Sequence, residues 1–398
     1  KMAAKILKGE KKASDMQFET ITEPGFYVNN EVAKNLGITV PEDLQDKAVE
    51  SFDEITKEFQ GKEFLSAGDF GVVPGLNKPV YAEKVERVIA NFFHAEKALL
   101  LVGSGTGAIR SGLQAMTSAN EEILVHTSPI YPTTEVSFLS MGLIPVRANF
   151  NDLEDIKHVL EKHQNIRTAL IQYTRQAIDD SYDMEEVLRT IKSVRDIQII
   201  TDDNYAVMKV HKIGVELGAD LSAFSCFKLL GPEGVGVVVG KASLVDTIEK
   251  MNYSGGSKVQ GWQAMEVLRG FTYAPVALAI QAEVNEELVR RLNNHEVEGV
   301  KDAFLANAQS KVLLVEFEDS IAKAVLAEAE KLGGLPNPVG AESKYEAVPM
   351  FYRVSGTFRK ADPTLEERMI RINPNRSGAD TIIRILKESI RKAKDVSR

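Results

Sequence analysis

The chain has 398 residues, of which 44% are hydrophobic and 26% are charged, and this composition is typical of a globular protein with a large core. Its formal net charge of -9 argues against a nucleic-acid-binding protein, and no apolar run reaches the roughly 18 residues that a membrane span needs. The single cysteine, Cys226, excludes an intrachain disulfide framework and indicates a reducing compartment such as the cytoplasm.

Residues 1–45 differ from the rest of the chain because their short helical and strand-like pieces are too small to bury a core. The start of the chain is neither a signal peptide nor an ordinary first residue. The stretches M-A-A-K-I-L-K-G-E-K and F-Y-V-N-N-E-V-A-K-N-L-G-I-T-V-P-E-D-L resemble the closing segment of bacterial ABC-type solute-binding proteins. We expect an N-terminal appendage, either a fusion or artefact with that origin or an arm peculiar to this chain.

Residues 46–80 form the next segment. A helical pattern runs to about Phe59, and an irregular stretch rich in glycine and proline then extends from Phe64 to Pro79. This stretch is too apolar for a solvated linker, so we expect it to cover part of an active site. Apolar residues at helical spacing predict an amphipathic helix over residues 80–94.

Strands alternate with helices over residues 81–250. The pattern predicts strands at 98–102, 123–126, 144–148, 169–173, 197–201, 221–225 and 235–239. Such alternation indicates an α/β fold whose mostly parallel, seven-stranded sheet is covered by helices on both faces.

Residues 251–398 follow another pattern, which indicates a smaller C-terminal α+β domain. A glycine loop spans residues 254–257, and a long amphipathic helix is predicted at 276–292. Further strands are predicted at 312–317, 351–355 and 369–373, and further helices at 321–332 and 380–392.

The stretch L-L-V-G-S-G-T-G-A-I, from Leu100 to Ile109, runs from a strand through glycines into a helix. Glycines let the backbone approach a ligand, and the N–H groups at a helix N-terminus bind anions, so this stretch is a candidate phosphate cradle. A dinucleotide fingerprint would need an acid at the end of the next strand, where Val125 to Ser128 provide none. A purely structural glycine turn is the other alternative.

Two further strand ends carry candidate site residues. Tyr131 follows the second strand, where its flat ring can stack on a flat ligand, or it simply precedes the next helix. Asp202 and Asp203 follow the strand at 197–201, and a carboxylate there can pair with a cationic ring nitrogen. The alternative for such an acid is an ordinary helix N-cap.

Lys228 lies in the stretch G-A-D-L-S-A-F-S-C-F-K-L-L-G-P-E-G-V-G, between two apolar strands. A lysine in such a place is costly unless its charge is paired or removed by chemistry such as Schiff-base formation. Taken alone, it is better explained as a surface lysine at a strand corner, because lysine is rarely buried. The order of phosphate cradle, aromatic ring, carboxylate and lysine along successive strand ends favours the chemical interpretation.

This layout resembles the fold type I enzymes that depend on pyridoxal 5'-phosphate (PLP), near their class V aminotransferase and cystathionine-lyase branches. The stretches E-F-L-S-A-G-D-F-G, G-S-G-T-G-A-I-R-S-G-L, T-D-D-N-Y-A-V-M-K-V, F-S-C-F-K-L-L-G-P-E-G-V-G, A-N-A-Q-S-K-V-L and I-R-I-N-P-N-R-S-G are more closely similar to the YhfS-type family of PLP proteins. The resemblance covers the chain from about residue 46 to its end.

The resemblance implies a specific role for each matched residue. It implies that Gly105, Thr106 and Ser225 hold the phosphate, Tyr131 stacks on the ring, Asp203 pairs with the pyridinium nitrogen, Lys228 forms the internal aldimine and moves protons, and Arg371 binds the substrate carboxylate. Gln176 occupies the region where relatives place an amide near the ring hydroxyl, although the local motif departs from theirs.

The resemblance also implies a homodimer, or a dimer of dimers, in which the partner donates residues 254–257 to the site. The expected substrate is a small amino acid or related amine, and the expected reaction is of the aminotransferase or carbon–sulfur lyase type. The sequence leaves two other functions open, namely a nucleotide-binding oxidoreductase that uses the Gly103 loop and a non-catalytic solute-binding protein.

Overall fold

A computed structural model describes residues 42–173, 177–306, 312–337 and 343–396 of the chain. Most of the predicted N-terminal appendage, like Gln176, lies outside the described residues. The resemblance of that appendage to solute-binding proteins stays a prediction.

The larger sheet contains seven strands within the described residues. They are β1 (Lys97–Val102), β2 (Glu122–His126), β3 (Ile144–Ala148), β4 (Thr168–Gln172), β5 (Gln198–Asp202), β6 (Leu221–Ser225) and β7 (Val235–Gly240). Their order across the sheet is β1-β7-β6-β5-β4-β2-β3. Strands β3, β2, β4, β5 and β6 pair in parallel, whereas β7 is antiparallel to both of its neighbours. The predicted α/β fold with a mostly parallel seven-stranded sheet is therefore confirmed.

Helices cover both faces of this sheet. They are α1 (Glu42–Glu58), α2 (Val80–Phe92), α3 (Ser104–Met116), α4 (Pro132–Met141), α5 (Leu153–Lys162), α6 (Met184–Val194) and α7 (Ala242–Met251). Because successive side chains of a strand point to opposite faces, Ile199 and Ile200 of β5 enter two different apolar cores. The core that contains Ile200 lies beneath α3, and Ser225 and Asp202 share this face at the ends of their strands.

The smaller sheet lies in the C-terminal part of the chain. Its strands are β8 (Val300–Ala306), β9 (Val312–Phe317), β10 (Met350–Arg353) and β11 (Met369–Asn373), in the antiparallel order β10-β11-β9-β8. The accompanying helices are α8 (Gly261–Asn293), α9 (Ala322–Lys331), α10 (Gly356–Ala361), α11 (Leu365–Arg368) and α12 (Ala379–Val396). The predicted helix at 276–292 is only the second half of α8, whose 33 residues connect the two sheets. None of the helices in the described ranges is both long and apolar enough to cross a membrane.

The glycine-rich stretch before α2 packs against the start of α8. The Gly71 N–H donates to Gln260 Oε1 at 2.8 Å, and the Gly261 N–H donates to the carbonyl of Asp69 at 3.0 Å. Gly68 adopts a φ of +90°, and a Cβ there would lie 2.3 Å from the backbone of Gly261. Only glycine fits so close an approach, so this stretch is packed against α8 and is not a solvated linker.

Candidate active site

The phosphate cradle predicted from the glycine motif is formed where β1 runs into α3. Gly103 turns the chain with a φ of 109°, so that the N-terminus of α3 opens at the edge of the sheet. The Ser104 and Ser225 hydroxyl oxygens lie 2.7 Å apart and join this helix start to the end of β6. A helix N-terminus with adjacent hydroxyl groups is suited to binding a phosphate.

Gly105 is required by the geometry of this cradle. A Cβ added to Gly105 would lie 2.2 Å from Asn204 Oδ1, so no larger residue fits without displacing Asn204. The Thr106 hydroxyl donates to Thr133 Oγ1 at 3.1 Å, which links α3 to the first turn of α4. The predicted phosphate residues Gly105, Thr106 and Ser225 thus lie together around one helix start.

Asp203 is wholly buried, on the face of β5 away from the cradle. Its Oδ2 accepts hydrogen bonds from the Thr201 hydroxyl at 2.9 Å and from the Gly214 N–H at 3.2 Å, while its Oδ1 has no partner among the described residues. Burial raises the pKa of Asp203 to about 7, although hydrogen bonds from Ser222 and Thr201 oppose this shift.

Asp202 points to the opposite face, the same face as Ser225 of the cradle. Its side chain accepts hydrogen bonds from the Asn204 backbone at 3.1 Å and from the Asn204 amide at 2.7 Å, and Gln172 also bonds to it. Burial raises the pKa of Asp202, and the nearby charge of Lys228 opposes this effect. Asp202 therefore shares the face of the cradle and interacts with Lys228, whereas the predicted Asp203 lies on the opposite face.

Lys228 lies in a short 3-10 turn, Cys226–Leu229, directly after β6. The Ser225 hydroxyl caps this turn by accepting the Phe227 N–H at 3.3 Å. The Lys228 Nζ lies 3.6 Å from the centre of the Tyr205 ring, an arrangement that favours a cation. Tyr205 was not predicted as a site residue, although its position two residues after Asp203 could have suggested it.

Tyr131 precedes α4 and is 41% exposed at the edge of the same cleft. Its pKa is raised mainly by partial burial and also by Tyr205 and Asp202, whereas Lys228 and Arg371 oppose the shift. The Tyr131 phenol therefore lies near charged residues of both the large and the small domain.

Arg371 reaches this cleft from β11 of the smaller sheet. Its Nε donates to the carbonyl of Arg353 at 3.0 Å, and its guanidinium lies 4.1 Å from the centre of the Tyr352 ring. The Tyr205 ring packs against Met350 and Tyr352. Neighbouring tyrosines, Tyr205 and Tyr352, thus connect the Lys228 amine of the large domain to the Arg371 guanidinium of the small one.

The donor set of this cleft fits PLP. The helix start and its hydroxyl groups suit a phosphate, a carboxylate suits a cationic ring nitrogen, a phenol suits a flat ring, and an amine suits an aldehyde. Gly105 leaves room for Asn204, which orients the Asp202 carboxylate. No group of three or more metal-ligating side chains occurs in the part of the chain that the structure describes.

Comparison with known proteins identifies the family of the chain. The class-V aminotransferase family model matches residues 79–303, and the model of the YhfS-like C-terminal domain matches residues 286–386. Protein YhfS of Escherichia coli is 54% identical over 348 residues, which cover 87% of this chain and 96% of YhfS. The chain belongs to the YhfS-like branch of the class-V aminotransferase family.

The crystal structure of Escherichia coli YhfS, a protein described as pyridoxal-5'-phosphate dependent, has a TM-score of 0.85 to this YhfS-like chain. The two are 52% identical, and the match covers 89% of this chain and 98% of that one. The YhfS-like chain is therefore a PLP-dependent enzyme, as the order of its strand-end residues predicts. Neither the oxidoreductase nor the solute-binding alternative finds support.

Two more distant proteins are also similar to this YhfS-like enzyme. A putative cystathionine beta-lyase involved in aluminum resistance from Listeria monocytogenes has a TM-score of 0.69 at 18% identity, covering 92% of this chain and 97% of its own. A probable cysteine desulfurase of Haemophilus influenzae is 20% identical over 188 residues, which are 44% of this chain and 43% of that protein. The first of these matches shows that the fold is shared over nearly the whole length of both chains.

Proposed function

We propose that this enzyme acts on an amino acid or related amine, by transamination or by elimination of the carbon–sulfur lyase type. The observation that carries this proposal is the meeting of Lys228, Asp202 and Tyr131 with Arg371 in one cleft between the two domains. An amine, an acid, an aromatic ring and a guanidinium together suit an amino acid that is held by its carboxylate.

The residues around the start of α3 would hold the cofactor phosphate. Gly105 and Thr106 offer backbone N–H groups there, and Ser225 adds a hydroxyl. Tyr131 would cover the ring, and the Lys228 amine would attach the cofactor aldehyde. When bound, PLP supplies an electron sink that stabilises negative charge developing at the substrate Cα.

We assign the partner of the ring nitrogen to Asp202 in place of Asp203. Support comes from the alternation along β5, which directs Asp202 to the face of Ser225 and directs Asp203 to Thr201 on the opposite face. Asn204 and Gln172 orient the Asp202 carboxylate by donating to it. An oriented buried carboxylate stabilises a protonated nitrogen opposite it.

Arg371 would bind the substrate carboxylate. Its Nε is held by the Arg353 carbonyl and its guanidinium lies over the Tyr352 ring, so its remaining N–H groups are fixed in direction. Lys228 would move a proton at the substrate Cα, because a primary amine can take and return a proton from one position.

Cys226 is the only cysteine of the chain, and its burial disfavours a sulfur transfer of the desulfurase kind. Such a transfer to the enzyme needs a reachable thiolate. Cys226 is 2% exposed, and burial raises its pKa well above the usual range, so its thiol is neither reachable nor ionised. Sulfur that leaves a substrate in this enzyme would leave as a small molecule instead.

We further propose that the enzyme is a cytoplasmic homodimer. Five large apolar side chains are exposed on the stretch before α2 and around the start of α8, which pack together, namely Leu65, Phe70, Val72, Tyr253 and Trp262. An exposed apolar surface of this kind marks an interaction site, and a second copy of the chain would cover it. Size-exclusion chromatography with light scattering tests this proposal, and a monomer at micromolar concentration would contradict it.

A substrate screen with single-turnover spectra tests the reaction type. Ketoacid and ammonia formed well in excess of the enzyme, without any added amino acceptor, would establish elimination, because a transaminase without an acceptor stops after one ketoacid per bound cofactor. Strict dependence on an added ketoacid acceptor would establish transamination. If no amino acid or amine changes the visible spectrum of the holoenzyme, the proposed substrate class is wrong.

A further inference from the structure

His126 and Asp180 form a buried pair next to the cofactor cleft, outside the residues assigned so far. The His126 Nδ1 accepts the Phe150 N–H at 3.0 Å, which leaves the ring proton on Nε2. That Nε2 donates to Asp180 Oδ1 at 2.9 Å. Phe150 stacks on the imidazole and Tyr182 packs edge-on against it, so the ring has one orientation.

Asp180 joins the ends of three strands. Besides His126 at the end of β2, it binds the Ser128 hydroxyl at 2.8 Å, the Asn151 amide at 3.1 Å and the Ala177 N–H at 2.9 Å, accepting each hydrogen bond. Its side chain is only 6% exposed. Burial alone would raise the pKa of Asp180, but hydrogen bonds from His126 and Ser128 hold it well below its usual range. The carboxylate is therefore charged and fully engaged.

The segment that Asp180 holds, residues 126–128, leads directly to Tyr131. The same segment is fixed from its other side by Arg147, whose Nη1 donates to the carbonyls of His126, Thr127 and Ser128 at 3.1, 3.2 and 3.1 Å. Backbone fixed by two charged groups cannot shift without breaking several charge-assisted hydrogen bonds. Tyr131 and the start of α4 follow this segment directly, so the fixed backbone also restricts where they lie.

We propose that Asp180 is a positioning residue for the cofactor, because it fixes the path from His126 to Tyr131 and so holds the Tyr131 ring against the bound PLP. This inference rests on the proposed role of Tyr131. It gives His126 a function, since the histidine supplies the donor that orients Asp180.

The test compares Asp180→Asn with Asp220→Asn in the full-length protein. Asp220 is a matched buried acid at the opposite edge of the sheet, where its Oδ2 accepts the Ile199 N–H at 2.7 Å and Lys192 at 3.1 Å. Both variants lose one charged acceptor. Equilibrium titration with PLP, circular dichroism in the visible band of the cofactor and thermal unfolding are measured for each.

Asp180→Asn is expected to weaken PLP binding by roughly tenfold or more and to alter the visible circular dichroism. Asp220→Asn is expected to lower thermal stability while its PLP affinity stays within about twofold of wild type. The double variant of Asp180→Asn and Tyr131→Ala should bind PLP no more weakly than Tyr131→Ala alone, because both changes act through one ring. Additive losses in the double variant would overturn the inference.

Wild-type affinity and dichroism in Asp180→Asn would also overturn it, as would equal losses in the Asp220→Asn control. If Asp180→Asn does not fold, Ser128→Ala removes one donor and keeps the carboxylate. It should then show a smaller change in dichroism in the same direction, and no change would count against the inference. If borohydride reduction links no cofactor covalently to the wild-type protein, the proposed function itself is wrong.

Discussion

Two lysines of this enzyme lie in contrasting surroundings. Lys78 is 3% exposed, and its Nζ lies 2.7 Å from Glu86, 2.5 Å from Glu249 and 3.3 Å from Glu83. Lys228 instead faces the Tyr205 ring at the edge of the cleft that both domains form. The two side chains have the same chemistry, so the difference between them comes from their neighbours.

The neighbours decide whether the amine can react. Burial lowers the pKa of Lys78, but Glu86 and Glu249 outweigh it and keep this pKa above its ordinary value. A lysine that holds its proton this firmly is not a nucleophile, and its charge instead secures the stretch before α2 to α7. Lys78 is therefore a structural lysine, whereas the Lys228 amine faces the candidate site beside Tyr205.

The largest expected difference between the two lysines is the effect of Lys228→Ala on cofactor attachment and turnover. Without the amine, we expect the visible band of the attached cofactor to vanish and turnover to fall by about 10²- to 10⁴-fold. Thermal unfolding should change little, because the side chain contributes little to either core. Absorbance spectra and steady-state rates of the purified variant measure this. A variant that keeps its visible band after extensive dialysis would contradict the assignment of Lys228.

Lys78→Met should give the converse result. Removing one partner of a buried ion pair leaves uncompensated carboxylates, so the free energy of unfolding should fall by about 3–5 kcal/mol. The surviving folded protein should still attach PLP and show the wild-type visible spectrum. Urea unfolding and cofactor spectra provide the two measurements. Loss of the visible band in a folded variant would mean that Lys78 belongs to the site.

The pH dependence of stability should identify Asp203 as a buried structural acid. The pKa of Asp203 is about 7 in the folded protein and has its ordinary value of 3.8 in the unfolded chain. Between these two pH values the folded state therefore binds a proton that the unfolded state has lost. Stability should therefore fall by a few kcal/mol as the pH rises through this window, and Asp203→Asn should remove that slope. Urea unfolding at several pH values measures it. An unchanged slope in the variant would place the titration elsewhere.

Asp202→Asn should impair catalysis by about 10- to 100-fold, the effect of losing one hydrogen bond to a charged partner. Asp203→Asn is the matched control, and its turnover should stay within a few-fold of wild type near pH 7. Rates and cofactor spectra of the two variants decide between the neighbours. A larger catalytic loss in Asp203→Asn would restore the assignment that the sequence resemblance implies.

Arg371→Lys is expected to have the smallest effect of the series. Lysine keeps the charge but loses the planar fork of N–H groups, so the KM for an amino-acid substrate should rise by about tenfold with little change in kcat. Arg353→Lys, a change on the neighbouring strand, is the control, because Arg353 accepts the Arg371 Nε–H through its backbone carbonyl, which the substitution keeps. Equal effects of the two changes would argue against carboxylate binding by Arg371.

Much of this architecture follows from local patterns. All seven strands of the large sheet were predicted, because apolar runs alternate with amphipathic helices between them. Strand β8 was missed, since its sequence V-K-D-A-F-L-A mixes charged and apolar residues at no clear period. The start of α8 was missed because a glycine, Gly261, opens the helix and Pro275 interrupts its pattern.

The candidate site was predicted less completely than the fold. The order of residues along strand ends indicates the cofactor, but the choice between Asp202 and Asp203 depends on which way each points where β5 ends. The pairing of His126 with Asp180 spans 54 residues and has no local signal. The approach of Arg371 to Tyr352 likewise depends on how the two domains pack.

Locating the cofactor on the chain would test the role of Lys228 without reference to any substrate. The holoenzyme is reduced with borohydride and digested, and the peptide that carries the pyridoxyl group is identified by mass spectrometry. We expect a single modified lysine, Lys228, in the peptide that follows β6. Modification of Lys78 or any other lysine, or no modified peptide from a yellow holoenzyme, would contradict this assignment.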